Sequence, residues 1–497
     1  MTSQRSSDET APSEPAPLGR AAIRGAGWSA AAGLSMKAVG LLVQFALGWM
    51  LSPADFATYG LALSLTVFTS AMTDGGVQKF LRQQPDRYSQ LVGPATIVAF
   101  IFGWISAAIL TALGLLSPLV FNVDGVGPIA IVLALNVAIH APVAVMRSKL
   151  QIDLRFKDAS LLEAVLTVVR GGLTVGFAAA GFGALSFALP FLFGTLVEGM
   201  LLLRLGAGRG FSIRGADARS VWSVIRATRW IMFAAGCSAL VLRGDYFVIG
   251  LVAESTLADY FFGFQIVASA MLLVTGGAYT VLLPVLARVT HDAVRLRDAA
   301  RRSIRLGAFV IAPASAAVFL VAPAAIHFAW DGKWDGAILV AQAVAISTAT
   351  RGVALVASTT IEAQGRWRLR SMLELFDGVL LVAAILGAVG LRGPDLTAIA
   401  IAVGAQRLVI GVAQVAIAGR SIGLGAMAAT GSLLRFSVPA LAAVAAVEAI
   451  GRVLPVSGDS MFGAAVDLSV FAAIWIPIAF ATGREEIAQL RGSISRG

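Results

Sequence analysis

The sequence predicts an all-α polytopic membrane protein with about fourteen transmembrane helices. Three observations carry this. Apolar residues make up 58% of the chain and charged residues 13%, against roughly 45–50% and 25% in soluble domains. Apolar stretches of 18 or more residues recur along the chain, the length at which a helix crosses a bilayer. Polarity is confined to short punctuating loops, and a large soluble helical protein would need long polar helix faces instead.

The elements follow in order. Residues 1–27 are rich in Ser, Pro, Glu and Arg and predict a disordered tail. No short apolar core precedes a small-residue cleavage site there, so the tail does not read as a secretory signal. Spans are expected at 28–51, 56–78, 91–117, 126–146, 159–180, 185–204 and 229–252. Seven more are expected at 259–287, 304–328, 336–361, 371–391, 396–419, 432–450 and 460–481. The eighth and tenth are long enough to tilt or project beyond the hydrocarbon.

Charge fixes the expected orientation. With the N-terminus placed in the cytoplasm, thirty of the 38 Lys and Arg residues fall in the tails or in loops on that side. Only Lys333, Arg392 and Arg452 fall in outer loops. The positive-inside rule then puts both termini in the cytoplasm of a cell with an inner (plasma) membrane. It also accounts for the pI near 10.4: the basic loops meet anionic lipid headgroups and do not form a nucleic-acid site.

The chain also echoes itself. Trp28 recurs as Trp230, Ala54-Asp55-Phe56 as Ala258-Asp259-Tyr260, and Ser160-Leu161-Leu162-Glu163 as Ser371-Met372-Leu373-Glu374, at offsets of 202, 204 and 211 residues. The expected organisation is two six-helix lobes in parallel repeat, at 28–204 and 229–419. A cytoplasmic linker, 205–228, joins them. Two further helices lie within 420–481, and a cytoplasmic tail covers 482–497.

Several chemistries are excluded. Cys237 is the only cysteine, so no intrachain disulfide forms. With three histidines and one cysteine there is no metal-ligand spacing. No phosphate-binding lysine loop and no nucleophile elbow occurs. Neither an enzyme nor a cofactor is expected. Asn136 and His140 share a face of the fourth span and read as a packing pair.

The informative residues are five cations inside spans: Lys37, Arg170, Arg243, Arg351 and Arg407. Each lies nine or more residues from a span end, about 13 Å of rise. A charge at the bilayer centre costs on the order of 2.5–3.5 kcal/mol even on the mildest scale, so these side chains are expected to face water or partners. Lys37 shares a helical stripe with Gln44, Glu163 with Arg170, Arg351 with Ser358, and Arg407 with Gln414. These stripes predict a hydrated cavity between the lobes. A guanidinium-rich cavity suits a polyanion, because guanidinium holds phosphate through two hydrogen bonds at once. Intramembrane Glu163, Asp245, Glu374, Asp377, Glu448 and Asp467 could alternatively neutralise some of the cations. Arg243 and Asp245 point to different faces and are poor partners for each other.

Short motifs then carry a family resemblance over residues 25–420. They are Gly27-Trp28-Ser29, Leu51-Ser52-Pro53-Ala54-Asp55-Phe56 with Tyr59-Gly60, and Asp74-Gly75-Gly76. Arg155-Phe156 leading into Glu163, Asp245-Tyr246-Phe247-Val248-Ile249-Gly250 and Gly332-Lys333-Trp334 complete the set. The chain resembles the bacterial polysaccharide transporters, the O-antigen and exopolysaccharide repeat-unit flippases of the multidrug/oligosaccharidyl-lipid/polysaccharide exporter superfamily. The resemblance implies two lobes forming a V around a cationic cavity. It also implies movement of a polyprenyl-diphosphate-linked oligosaccharide from the cytoplasmic to the periplasmic leaflet. Polysaccharide polymerase and chain-length machinery are candidate partners. Asp74, Glu163, Asp245, Glu374 and Asp377 are candidates for gating or for coupling to protons, sodium or membrane potential. Arg243-Gly244-Asp245 departs from the Asn- or Leu-containing approach expected before the aspartate.

Other readings remain open. A lipid-linked peptidoglycan precursor shares the diphosphate carrier and is the nearest competitor. A drug or cation antiporter of the same superfamily would favour an acidic or aromatic cavity. A membrane glycosyltransferase would need an extramembrane catalytic surface, which outer loops of about ten residues do not supply.

Overall fold

The computed structural model describes residues 37–70, 72–73, 75–84, 87–121, 123–153, 155–208, 216–288, 292–453 and 460–487. The expected N-terminal tail, residues 488–497 of the C-terminal tail, the first nine residues of span one, most of the linker's first half, and Asp74 lie outside the described residues. The described chain is helical throughout. In order the helices are α1 (Lys37–Met50), α2 (Pro53–Leu65), α3 (Val67–Ser70), α4 (Val77–Gln83), α5 (Tyr88–Leu116), α6 (Val126–Ile152), α7 (Phe156–Ala179) and α8 (Leu185–Arg204). They continue as α9 (Ala218–Val252), α10 (Leu257–Arg288), α11 (Ala293–Trp330), α12 (Ile338–Ala363), α13 (Trp367–Arg392), α14 (Leu396–Ser421), α15 (Ala426–Val453) and α16 (Met461–Thr482). Twelve of these, α5 to α16, are long and apolar enough to cross a membrane. The protein is therefore a polytopic membrane protein of the predicted class.

Helix starts follow from local chemistry. Ser52 and Asp55 form a reciprocal capping box around Pro53 at the start of α2. Asp292, Asp395 and Ser460 cap α11, α14 and α16 through their side-chain oxygens. Asp217 caps α9, and its hydrogen bonds with the Ser220 side chain and backbone N–H hold its carboxyl below the usual carboxylate range.

Three expectations are corrected. The second span is not one continuous helix over 56–78. It breaks into α2, α3 and α4, because Thr66, Thr69 and Thr73 each turn a hydroxyl onto a carbonyl three or four residues back. Gly75 and Gly76 then take positive φ angles of 61° and 69°, which only glycine adopts without strain. The seventh and ninth spans run longer than the expected 229–252 and 304–328: α9 has 35 residues and α11 has 38. Both continue as helix through stretches that looked like polar linker. Arg147, expected in a cytoplasmic loop, lies inside α6, which runs on to Ile152.

Packing falls into two sets of contacts. α5 packs on α6, and α8 on both α6 and α7; α12 packs on α10, α11 and α14, and α13 on α9 and α14. α15 and α16 lie against α11, and α15 also against α14. The two sets meet where α2 touches α9 and α10, and where α3, α4 and α5 touch α9. Small residues set the closest approaches. Gly114 of α5 faces Ala130 of α6, and Gly411 of α14 lies against the backbone of Thr350 and Arg351 on α12.

At one end of this seam, donors from the α11–α12 turn converge on the C-terminal carbonyls of α1. Lys333 Nζ donates to Gly48 O at 2.9 Å and Leu51 O at 2.5 Å, Trp334 Nε1 to Gly48 O at 3.0 Å, and Trp330 Nε1 to Phe45 O at 3.2 Å. A cation also suits the negative end of the α1 dipole. Phe262 stacks on Trp334 at 4.0 Å between ring centroids, and Phe56 meets Trp334 edge-on at 4.9 Å. Gly48 is glycine because a Cβ there would overlap the Trp330 ring. This contact gives the motif Gly332-Lys333-Trp334 its physical role. Removing it with Lys333→Ala plus Trp334→Phe costs the closed arrangement about 1–3 kcal/mol per lost charged bond and less for the neutral one. Spin labels at Met50 and Phe328 are expected to shift to longer distances in that variant. An unchanged distance distribution would show that the contact does not hold these helices together.

Candidate substrate site

Two of the five sequence-predicted cations stand side by side. Thr350 Oγ1 donates to Leu408 O at 3.2 Å, which ties α12 to α14 beside Arg351 and Arg407, and the two guanidiniums are near enough to repel each other. The close approach at Gly411, one helical turn beyond Arg407, brings the two helices together there. Each guanidinium is held by one aspartate. Arg351 pairs with Asp377 of α13, and Arg407 Nη2 lies 3.4 Å from Asp245 Oδ2 of α9. Asp245 is fully buried and Asp377 is 2% exposed, whereas the arginine side chains keep 12% (Arg407) and 23% (Arg351) of their surface. Arg407 also sits 4.6 Å from the centre of the Phe264 ring.

The aspartates have further donors. Asp377 accepts from Gln406 Nε2 at 3.0 Å and from Gln414 Nε2 at 3.4 Å. Asp245 accepts from the Tyr260 hydroxyl at 2.9 Å and from the Tyr246 backbone N–H at 3.0 Å. On the other side, Arg351 Nη1 and Arg407 Nε are buried N–H groups with no hydrogen-bond partner. Buried donors are normally satisfied, so both guanidiniums keep hydrogen-bonding capacity that an anion can take up.

Arg170 lies in a separate cluster on α6, α7 and α8. Glu198, fully buried, stands 3.2 Å from Arg170 Nη2 and 3.0 Å from Arg147 Nη1, and Arg147 also pairs with Glu163. Beside it, Asn136 accepts from Thr195 Oγ1 at 2.7 Å, so Asn136 ties α6 to α8. Sequence reasoning did not single out Glu198 or Arg147. The signal for Glu198 was present, an acid inside an apolar span. Arg147 carried none, because it stands at the edge of a basic run.

Arg243 goes elsewhere again. It donates to Thr66 Oγ1 at 2.6 Å, at the break between α2 and α3, and so crosses the seam between the two sets of helices. No carboxylate pairs with it among the described residues. Lys37, the first described residue of α1, is half-buried and has no ion-pair partner among the described residues. Glu374 accepts from Ser238 Oγ at 2.6 Å and pairs with Arg370 at 2.7 Å. Glu163 and Glu374 each stand seven residues after the first residue of their helix, Phe156 and Trp367, and each meets an arginine.

An apolar cavity of about 400 Å³ opens between α1, α10 and α11, lined among others by Leu41, Phe45, Ile266, Ala270, Val318 and Trp330. Phe45 and Trp330 also belong to the contact that closes the α1 end of the seam.

The described residues form twelve helices long and apolar enough to cross a membrane, the bundle of a multi-pass membrane protein, and known structures share its fold. The lipid II flippase MurJ in its inward closed conformation has a TM-score of 0.69 at 13% identity, over 93% of this chain and 99% of that one. A multidrug resistance MATE family transporter of the MOP superfamily, inward-facing, has a TM-score of 0.60 at 15% identity, over 79% and 98%. The Vibrio cholerae MATE transporter VcmN in the bent form has 0.52 at 15%, over 82% and 96%. No curated protein matches the sequence significantly. The chain belongs to the family described as polysaccharide biosynthesis protein, whose profile matches residues 46–339. That is the polysaccharide-transporter membership its short motifs implied.

Proposed function

We propose that the protein moves a polyprenyl-diphosphate-linked oligosaccharide, a repeat unit of a surface polysaccharide, from the cytoplasmic to the periplasmic leaflet of the inner membrane. The observation that carries this is the pair Arg351 and Arg407, adjacent, partly accessible and each with an orphaned buried donor. A diphosphate presents the negative oxygens that such a pair accepts. Its passage through bare hydrocarbon is costly because nothing there replaces lost water. The apolar cavity beside α1 and α10 gives the polyprenyl tail a lateral way in, so the tail stays in lipid while the headgroup crosses. The two sets of helices act as lobes that rock around the site.

The fold likeness to a lipid II flippase favours one second reading, a lipid-linked peptidoglycan precursor, because both cargoes share the diphosphate carrier. Purified protein in vesicles decides between them. A fluorescent polyprenyl-diphosphate oligosaccharide placed in one leaflet is expected to cross faster with protein than without, and faster than a lipid-linked peptidoglycan precursor. Equal rates with and without protein would overturn the proposal.

Topology is testable separately. In a Cys237→Ser background, Gly125→Cys is expected to react with an impermeant thiol reagent in intact cells, and Arg297→Cys to stay unlabelled. Labelling of the second site would reverse the orientation that the basic loops imply.

A further inference from the structure

We infer that Asp245 and Asp377 are resident counter-ions that stand in for the substrate's phosphates in the empty carrier, and that loading exchanges carboxylate for phosphate on Arg407 and Arg351. This deepens the function proposed above and rests on it. Four observations lead here. First, each of the two guanidiniums is paired with one carboxylate, so the unloaded site is neutral. Second, the pairing is incomplete on the arginine side: Arg351 Nη1 and Arg407 Nε remain buried without partners. Third, the Arg407–Asp245 contact is long at 3.4 Å, beyond the 2.7–2.9 Å of a well-made charge-assisted bond.

The fourth observation decides the reading. Each aspartate keeps neutral donors that do not depend on its arginine. If Arg407 swings away, Asp245 still accepts from Tyr260 and from the Tyr246 backbone. If Arg351 swings away, Asp377 still accepts from Gln406 and Gln414. A pair built only for stability would leave its carboxylate bare on separation, and that is what makes breaking a buried pair so costly. Here the landing place for each displaced carboxylate is already in position. The physical purpose follows from the transport cycle. Two naked buried guanidiniums would hold a diphosphate so tightly that release would limit turnover. A resident carboxylate competes for the same N–H groups, lowers affinity at loading and drives release at the far side.

The test separates this from the underlying function. Binding of farnesyl diphosphate to purified full-length protein is measured by calorimetry, and export is measured in cells. Wild type is expected to bind, and Arg351→Ala to lose binding. Asp245→Asn and Asp377→Asn each keep an acceptor oxygen but not the charge, and are expected to bind about tenfold or more tightly while exporting more slowly. If wild type binds, Arg351→Ala does not, and neither Asp→Asn variant binds more tightly, the counter-ion exchange is wrong and the substrate site stands. If wild type fails to bind, both readings fall. A second measurement does not depend on the folding of variants. The infrared difference spectrum of the wild type on adding farnesyl diphosphate is expected to show carboxylate bands shifting as the aspartates leave their arginines, and a spectrum without them would overturn the exchange.

Discussion

Arg351→Ala and Arg407→Ala are each expected to abolish export of the lipid-linked glycan while the protein still inserts at near-normal level. Function is lost because the phosphates then meet one guanidinium instead of two, and a missing charge-assisted pair inside a membrane is not replaced by water. Insertion survives because Asp377 keeps Gln406 and Gln414, and Asp245 keeps Tyr260. Arg→Lys at either position recovers only part of the activity, since an ammonium keeps the charge but not the planar fork. Lys37 tolerates Arg better than Ala for the same reason of charge. The readouts are surface polysaccharide and build-up of the lipid-linked precursor in the inner leaflet. Normal surface polysaccharide in both Ala variants would show that these arginines are structural, and the site would fall with them.

Glu198→Ala has the largest expected effect on stability. Glu198 is fully buried between Arg147 and Arg170. Arg147 keeps Glu163, but Arg170 loses its only acidic partner among the described residues. Removing one partner of a buried pair costs about 3–5 kcal/mol, because the uncompensated charge remains. Glu198→Ala is therefore expected to lower the unfolding temperature in detergent far more than Arg351→Ala. Glu198→Asp should fall between, since the shorter side chain cannot reach both arginines. A wild-type unfolding temperature for Glu198→Ala would show that the cluster does not hold α6, α7 and α8 together. The contrast between the two variants also separates roles: a carboxylate buried between two arginines acts on stability, and two arginines with one carboxylate each act on transport.

Much of the fold was legible because apolar run length depends only on local sequence. The spans from the third onward appear as helices at or near their expected positions, and their caps, such as Asp395 and Ser460, are residue types that favour those places. The second span failed because its composition is apolar enough, yet its threonine hydroxyls and two glycines at positive φ break it. Hydropathy does not register backbone hydrogen bonding. The extensions of α9 and α11 were missed for the converse reason: polar residues outside the hydrocarbon can continue a helix.

By itself, the sequence determined the class, the family and the identity of the unusual charges, because bilayer thickness sets helix length and desolvation makes every intramembrane cation conspicuous. It could not decide which cation meets which acid. Lys37, Arg170, Arg243, Arg351 and Arg407 look alike along the chain, and their partners lie 28, 26 and 162 residues away for Arg170, Arg351 and Arg407. Only the tertiary structure places Arg170 with Glu198 and Arg147, sends Arg243 across the seam to Thr66, and gives Arg351 and Arg407 an aspartate each from α13 and α9. The physical reason is that pairing energies act over a few ångströms, while the contacts that bring charges that close are made between helices distant in sequence.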